Sequence, residues 1–172
     1  MGNSQLKGVI HDKQSLMLCG LHALRAMLQE NIPKDAVFNK AKQLEKDPET
    51  KVFGPHYTSI IGNFSYDVLA PFLKDFADKN SLSVDYYHPE EEQSDYSDIK
   101  GILVNVKSTF GRHWFTVRRL GDLTENKKQF PFYNLDSKLS EPKLIGEEEI
   151  FPFLKQLRDE KEAVFYILKN KQ

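Results

Sequence analysis

The chain has 172 residues, 40% of them hydrophobic and 28% charged, with a formal net charge of −1. That size and mix suit one soluble domain with a core of its own, and the even charge gives no global pull toward nucleic acid or an anionic membrane. One cysteine, Cys19, excludes an intramolecular disulfide, argues against a four-thiolate zinc site and fits the reducing cytoplasm.

No apolar run approaches the roughly 20 residues needed to span a bilayer. His22 and Arg25 interrupt the first apolar stretch, so there is no signal-peptide core. Leu6 stands where a myristoylation signal wants Ser or Thr. No membrane anchoring is expected.

Residues 1–13 are polar and read as an extended lead-in, with His11 at the surface or in a cap. The stretch QSLMLCGLHALRAMLQ, Gln14 to Gln29, organises the rest. Leu21, Leu24, Met27 and Leu28 recur at helical spacing, so a helix from about Cys19 to Glu30 should turn one apolar face to the core. Cys19 at its start lies among backbone N–H groups without intrahelical partners, one recognised setting for a nucleophile. The alternative is a small buried apolar residue. Gly20 permits close approach of backbone or substrate. His22, three residues on, could be half a metal site, but no second thiolate or His pair completes it.

Pro33 to Glu45 repeats the helical pattern through Ala36, Val37, Ala41 and Leu44, and Asp47-Pro48 closes it. Residues 33–62 are expected to form a helical arm, with Phe53, Tyr57, Ile60 and Ile61 in a short return helix or a groove wall. Ser65 is the expected N-cap of a helix carrying Val68, Leu69, Phe72, Leu73 and Phe76, kinked or delayed by Pro71. Leu82, Val84 and Tyr86 alternate as a strand, and an acidic loop runs from Glu90 to Asp98.

From residue 101 to 168 the pattern is that of strands. Gly101 to Val106 reads as a central strand. His113 to Leu120 follows, with His113, Phe115 and Val117 on one face and Trp114, Thr116 and Arg118 on the other. Gln129 to Asp136 is next, then a helix over about Glu147 to Lys161 and a last strand from Ala163 to Leu168. Helices first and strands later predict an α+β fold with an antiparallel sheet.

Gly121 to Lys128 reads as a hairpin loop. If it is symmetric about Thr124 and Glu125, Leu120 faces Gln129, Val117 faces Phe132 and His113 faces Asp136. Opposed residues share a face with Cβ atoms about 5 Å apart, which suits an imidazole donating to a carboxylate. A one-residue slip would turn Asp136 away and bring Asn134 forward. Cys19, His113 and Asp136 together have the residue types of a thiol nucleophile, a base and its orienter.

Four blocks, HDKQSLMLCGLHALRAMLQ, GNFSYDVLAPFL, GRHWFTVRRL and YNLDSKL, occur in the order found in the Josephin family of cysteine deubiquitinases, which the chain resembles from about Asp12 to Leu139. The resemblance implies a papain-like fold in a single catalytic domain over residues 1–172. It also implies Cys19 as nucleophile, His113 as general base, Asp136 as third member, and Gln14 as an oxyanion-hole donor, with the helical arm over the groove for the ubiquitin tail. Ubiquitin or ubiquitylated proteins are the implied partner, for a monomer without cofactor or metal. Trp114 reads as core or rim packing and is also a candidate substrate contact. Asp67 and the Glu90–Asp98 loop are candidates for the arginines of the ubiquitin tail. A ubiquitin-binding module with an inactive site and another papain-like protease or acyl transferase are the alternatives. The Gly121–Lys128 loop looks longer than the family's tight hairpin.

Overall fold

The computed structural model describes residues 8–13, 18–51, 57–58, 63–89, 96–109, 111–120 and 130–171. The described residues form five helices, α1 (Cys19–Leu28), α2 (Lys34–Lys46), the single turn α3 (Pro48–Lys51), α4 (Tyr66–Lys79) and α5 (Glu147–Lys161). Two short strands, β1 (Tyr57–Thr58) and β2 (Asn63–Phe64), pair with each other. The main sheet is built from β3 (Leu82–Tyr87), β4 (Ile99–Ser108), β5 (Gly111–Arg119), β6 (Phe132–Asn134), β7 (Lys143–Ile145) and β8 (Val164–Asn170). Its order is β3-β8-β4-β5-β6-β7, and every pairing is antiparallel. The α+β architecture expected from the sequence is the one observed.

Alternation along the strands divides the core in two. Leu103, Trp114 and Leu168 join α1, α2 and α4 on one face. Ile102, Val104, Phe115, Val117, Phe132 and Phe165 join Ile150, Leu154 and Leu157 of α5 on the other. Among described residues no helix is long and apolar enough to cross a membrane.

α1 is buried more completely than its amphipathic pattern predicts: of its ten residues only Arg25 escapes full burial. The helix lies between the sheet and the other elements, so Leu21 and Leu24 pack with α4 while Ala26 meets Leu120 and Leu135. It stops at Gln29, which takes the left-handed conformation at φ 54°. The Gln29 amide N–H₂ donates to the Ala26 carbonyl at 2.7 Å, satisfying an orphan acceptor of the last turn. α2 seats Val37 and Ala41 in the core. The rest of the expected arm, residues 52–56 and 59–62, lies outside the described residues. Pro71 sits within α4 without ending it, and Ser65 is the N-cap residue but makes no side-chain cap bond.

The β5–β6 register differs from the symmetric-loop expectation. Val117 pairs with Asn134 rather than with Phe132, two residues along. A displacement of two preserves which residues share a face, because side chains alternate with period two. Gln129, the expected partner of Leu120, and the loop from 121 to 128 lie outside the described residues. β7, missing from the sequence reading, extends the sheet by pairing with β6.

Candidate active site

α1 and β5 run in the same direction and stay in step. Gly20 lies against Trp114: a Cβ there would sit 3.5 Å from the Trp114 ring and 3.1 Å from Phe64. Thr116 Oγ1 donates to the Ala23 carbonyl at 2.8 Å. The Arg118 guanidinium donates to the Met27 carbonyl. Two strand residues advance about 6.6 Å and three to four helical residues about 5 Å, so contacts at 114, 116 and 118 meet helix positions 20, 23 and 27. The starts of the two elements therefore coincide, and Cys19 comes beside His113.

His113 is buried at the head of β5. Its Nε2–H donates to Asp136 Oδ1 at 2.8 Å, and Cys19 lies close enough to act on the ring electrostatically. With Nε2 committed to the carboxylate, Nδ1 is the nitrogen left for sulfur. Burial pulls the imidazole pKa down, but the hydrogen bond to Asp136 and the charges of Asp136 and Cys19 outweigh it and hold the ring above its ordinary 6.5. Asp136 mirrors this: burial raises it, while the bond to and charge of His113 leave it below the ordinary 3.8. The pair thus favours the charged forms of both partners.

Asp136 lies just beyond β6. The last sheet-like contact is the Leu135 N–H to the Thr116 carbonyl at 2.8 Å. The chain then turns. The Asp136 N–H donates to Asn134 Oδ1 at 2.9 Å, the Lys138 N–H to Asp136 Oδ1 at 2.9 Å and the Leu139 N–H to the Asp136 carbonyl at 2.9 Å. Asn134, the alternative third residue, supports this turn. A cleft of about 610 Å³ opens beside His113 and Asp136, walled by Phe115, Lys138, Phe153 and Leu157 among others.

Cys19 is 4% exposed. Gln14 lies outside the described residues, as do residues 90–95 of the acidic loop.

Trp114 takes a packing position. It is 4% exposed, and its indole N–H donates to the Phe64 carbonyl at 2.8 Å, so the ring is spent on joining β5 to β2. Asp67 is exposed at the start of α4 and borders a separate groove of about 850 Å³ with Tyr66, Pro71 and Val84, which none of Cys19, His113 and Asp136 lines. His22 is buried and contacts Asp12, Nδ1 to Oδ2 at 3.3 Å, while Arg25 reaches the same carboxylate oxygen at 3.0 Å. Burial raises the Asp12 carboxyl, but these two partners bring it below its ordinary range.

The residue the sequence reading missed is His11. Instead of facing solvent or capping a turn, its Nε2–H donates to the Asp136 backbone carbonyl at 2.9 Å. Only its place three residues before Gln14 hinted at the site.

A cysteine at a helix start, facing a histidine–aspartate pair from an antiparallel sheet, is the arrangement of a papain-like α+β protein. The chain belongs to the Josephin family, whose family model matches residues 14–168. It is 28% identical over 178 residues to a Josephin-like protein of Arabidopsis thaliana, covering 91% of this chain and 46% of that protein. Josephin-2 of Mus musculus is 26% identical over 155 residues, covering 82% of this chain and 74% of its own. Ataxin-3 of Homo sapiens is 28% identical over 180 residues, covering 94% and 46%. The chain thus spans about half the length of the Arabidopsis protein and of ataxin-3.

Proposed function

We propose that the protein is a thiol-dependent ubiquitin hydrolase acting through an acyl-enzyme, with residues 1–172 as one catalytic domain. The observation that carries this reading is one imidazole, His113, bonded to Asp136 and lying next to Cys19 in a chain of the Josephin family.

The Cys19 sulfur gives its proton to His113 Nδ1 and attacks the carbonyl carbon of ubiquitin's C-terminal glycine. The Cys19 backbone N–H and the Gln14 side-chain amide donate to the oxyanion. As the tetrahedral species collapses, the bond from carbon to the leaving nitrogen or oxygen breaks and the imidazolium protonates that atom. Water then loses a proton to His113 and attacks the thioester. The carbon–sulfur bond breaks and ubiquitin leaves with a free carboxylate. Asp136 holds the ring in the tautomer that presents Nδ1 and stabilises the imidazolium. A nucleophile exposed by only 4% suits a tail of glycines.

The test is ubiquitin carrying a fluorogenic amide at its C-terminus, with Cys19→Ala beside the parent protein. Turnover by the parent and none by the variant supports the hydrolase; equal turnover by both refutes it. A ubiquitin bearing a C-terminal electrophile should become bound to Cys19. Binding without capture would favour a ubiquitin-binding module.

A further inference from the structure

The segment of residues 9–13 is fastened along α1. The Ile10 N–H donates to Gln29 Oε1 at 2.9 Å, and the Gln29 amide returns a bond to the Ile10 carbonyl at 3.2 Å. On the other side of His11, Asp12 is paired with Arg25 at 3.0 Å. His11 is therefore held at both flanks to the helix that begins with Cys19, and it reaches 125 residues along the chain to the Asp136 carbonyl.

That carbonyl needs an outside tether. Asp136 has left the strand ladder, and its bonds to Asn134, Lys138 and Leu139 all lie within three residues of it. Such local bonds shape the turn but do not fix its place against the sheet. Among the described residues, Asp136 makes long-range hydrogen bonds to His113 and His11. His113 must change its protonation and its bonding to sulfur during turnover, so it is a poor sole anchor for the group that orients it.

We propose that His11 is a positioning residue that fixes the Asp136 carboxylate against His113 by holding the Asp136 backbone. The contacts form a closed ring: Cys19 to His113, His113 to Asp136, Asp136 to His11, and His11 through Ile10 and Asp12 back to α1. Opening the ring at His11 lets the 136–139 turn drift from the imidazole. Misplacement by about 1 Å costs on the order of 10²-fold in rate in sensitive sites, and a loosened tether, which samples the correct place part of the time, should cost about tenfold.

This inference rests on the catalytic role given to Asp136, and its test separates the two. His11→Gln keeps an N–H donor near the position of Nε2, His11→Leu removes it, and His11→Asn is polar but too short. With the fluorogenic ubiquitin substrate, His11→Leu and His11→Asn should lower kcat about tenfold with KM within about twofold, and His11→Gln should recover most of the loss. On an Asp136→Ala background, His11→Leu should change kcat by less than about twofold, because the group it positions is gone. An equal loss on both backgrounds, or failure of Gln to rescue, overturns the proposal. If the parent protein does not hydrolyse ubiquitin, the hydrolase reading fails, and the NMR titration of the His113 ring still reads the tether. Its midpoint should fall toward 6.5 in His11→Leu and stay in place in His11→Gln. An unchanged midpoint in His11→Leu overturns the proposal without reference to activity.

Discussion

His113 and Asp136 meet at 2.8 Å across the end of a strand pair, one at the head of β5 and the other just past the last rung of β6. The carboxylate accepts from Nε2 and leaves Nδ1 toward sulfur. Asparagine in its place keeps an oxygen acceptor but not the charge. Asp136→Asn should therefore retain kcat/KM to within about tenfold, whereas Asp136→Ala, which frees the ring to turn, should lose on the order of 10²-fold. Steady-state kinetics with a ubiquitin C-terminal amide would check this, and equal losses in the two variants would show that orientation is not what Asp136 supplies.

The same pair makes a prediction about stability. His113 is held above its ordinary 6.5, so its contribution is fully present below pH 6.5 and is lost as pH rises through the raised folded value. Asp136 is held below its ordinary 3.8, so its contribution is present above pH 3.8 and is lost as pH falls through the lowered folded value. Asp136→Asn should be less stable than the parent by about 1.5–3 kcal/mol at pH 5.5, and the gap should narrow by pH 9. Urea unfolding at the two pH values measures it; a gap that widens at pH 9 would reverse the assigned sign.

Thr116 tests whether the site depends on α1 and β5 keeping step. Its hydroxyl ties the Ala23 carbonyl at 2.8 Å, midway between the contacts of Trp114 and Arg118. Thr116→Val keeps the shape and drops the bond, at a cost of about 1 kcal/mol. Thr116→Ser keeps the bond. If the bond also sets the approach of Cys19 to His113, the valine variant should lose kcat beyond what its stability explains, and the serine variant should not. Equal kcat in both, measured well below the unfolding temperature, would make Thr116 a matter of stability alone.

The face assignment of β5 was legible because alternation is written into the residues themselves: Trp114, Thr116 and Arg118 turn to α1, while Phe115 and Val117 turn to α5. The absolute register was not legible, since it depends on turn geometry, and a two-residue displacement left the parity intact. That is why His113 and Asp136 meet although they are not directly opposed. β7 escaped notice because it has three residues, two of them exposed, too few to display alternation. His11 escaped because a polar lead-in has no periodicity to interpret, and its partner lies on a turn far along the chain. Trp114 had two readings in the sequence, packing in the core or rim and contact with substrate, because residue type alone does not separate them; its burial and its bond to the Phe64 carbonyl are those of a packing residue.

Ser137, next to Asp136, is 6% exposed, and its hydroxyl finds no hydrogen-bond partner among the described residues. A buried hydroxyl without a partner loses its bonds to water and regains nothing, a cost of about 1–3 kcal/mol. Alanine removes the oxygen and leaves a methyl group, with a gap smaller than a water molecule. The backbone bonds that shape the turn run through Asp136, Lys138 and Leu139, so none depends on the Ser137 side chain. Ser137→Ala should therefore unfold at higher urea, with a gain of up to about 1 kcal/mol once the small gap is set against the relieved hydroxyl, and kcat/KM should stay within about twofold. A variant less stable than the parent would mean that the hydroxyl has a partner after all, and a loss of kcat at unchanged stability would place that partner in the chemistry of the site.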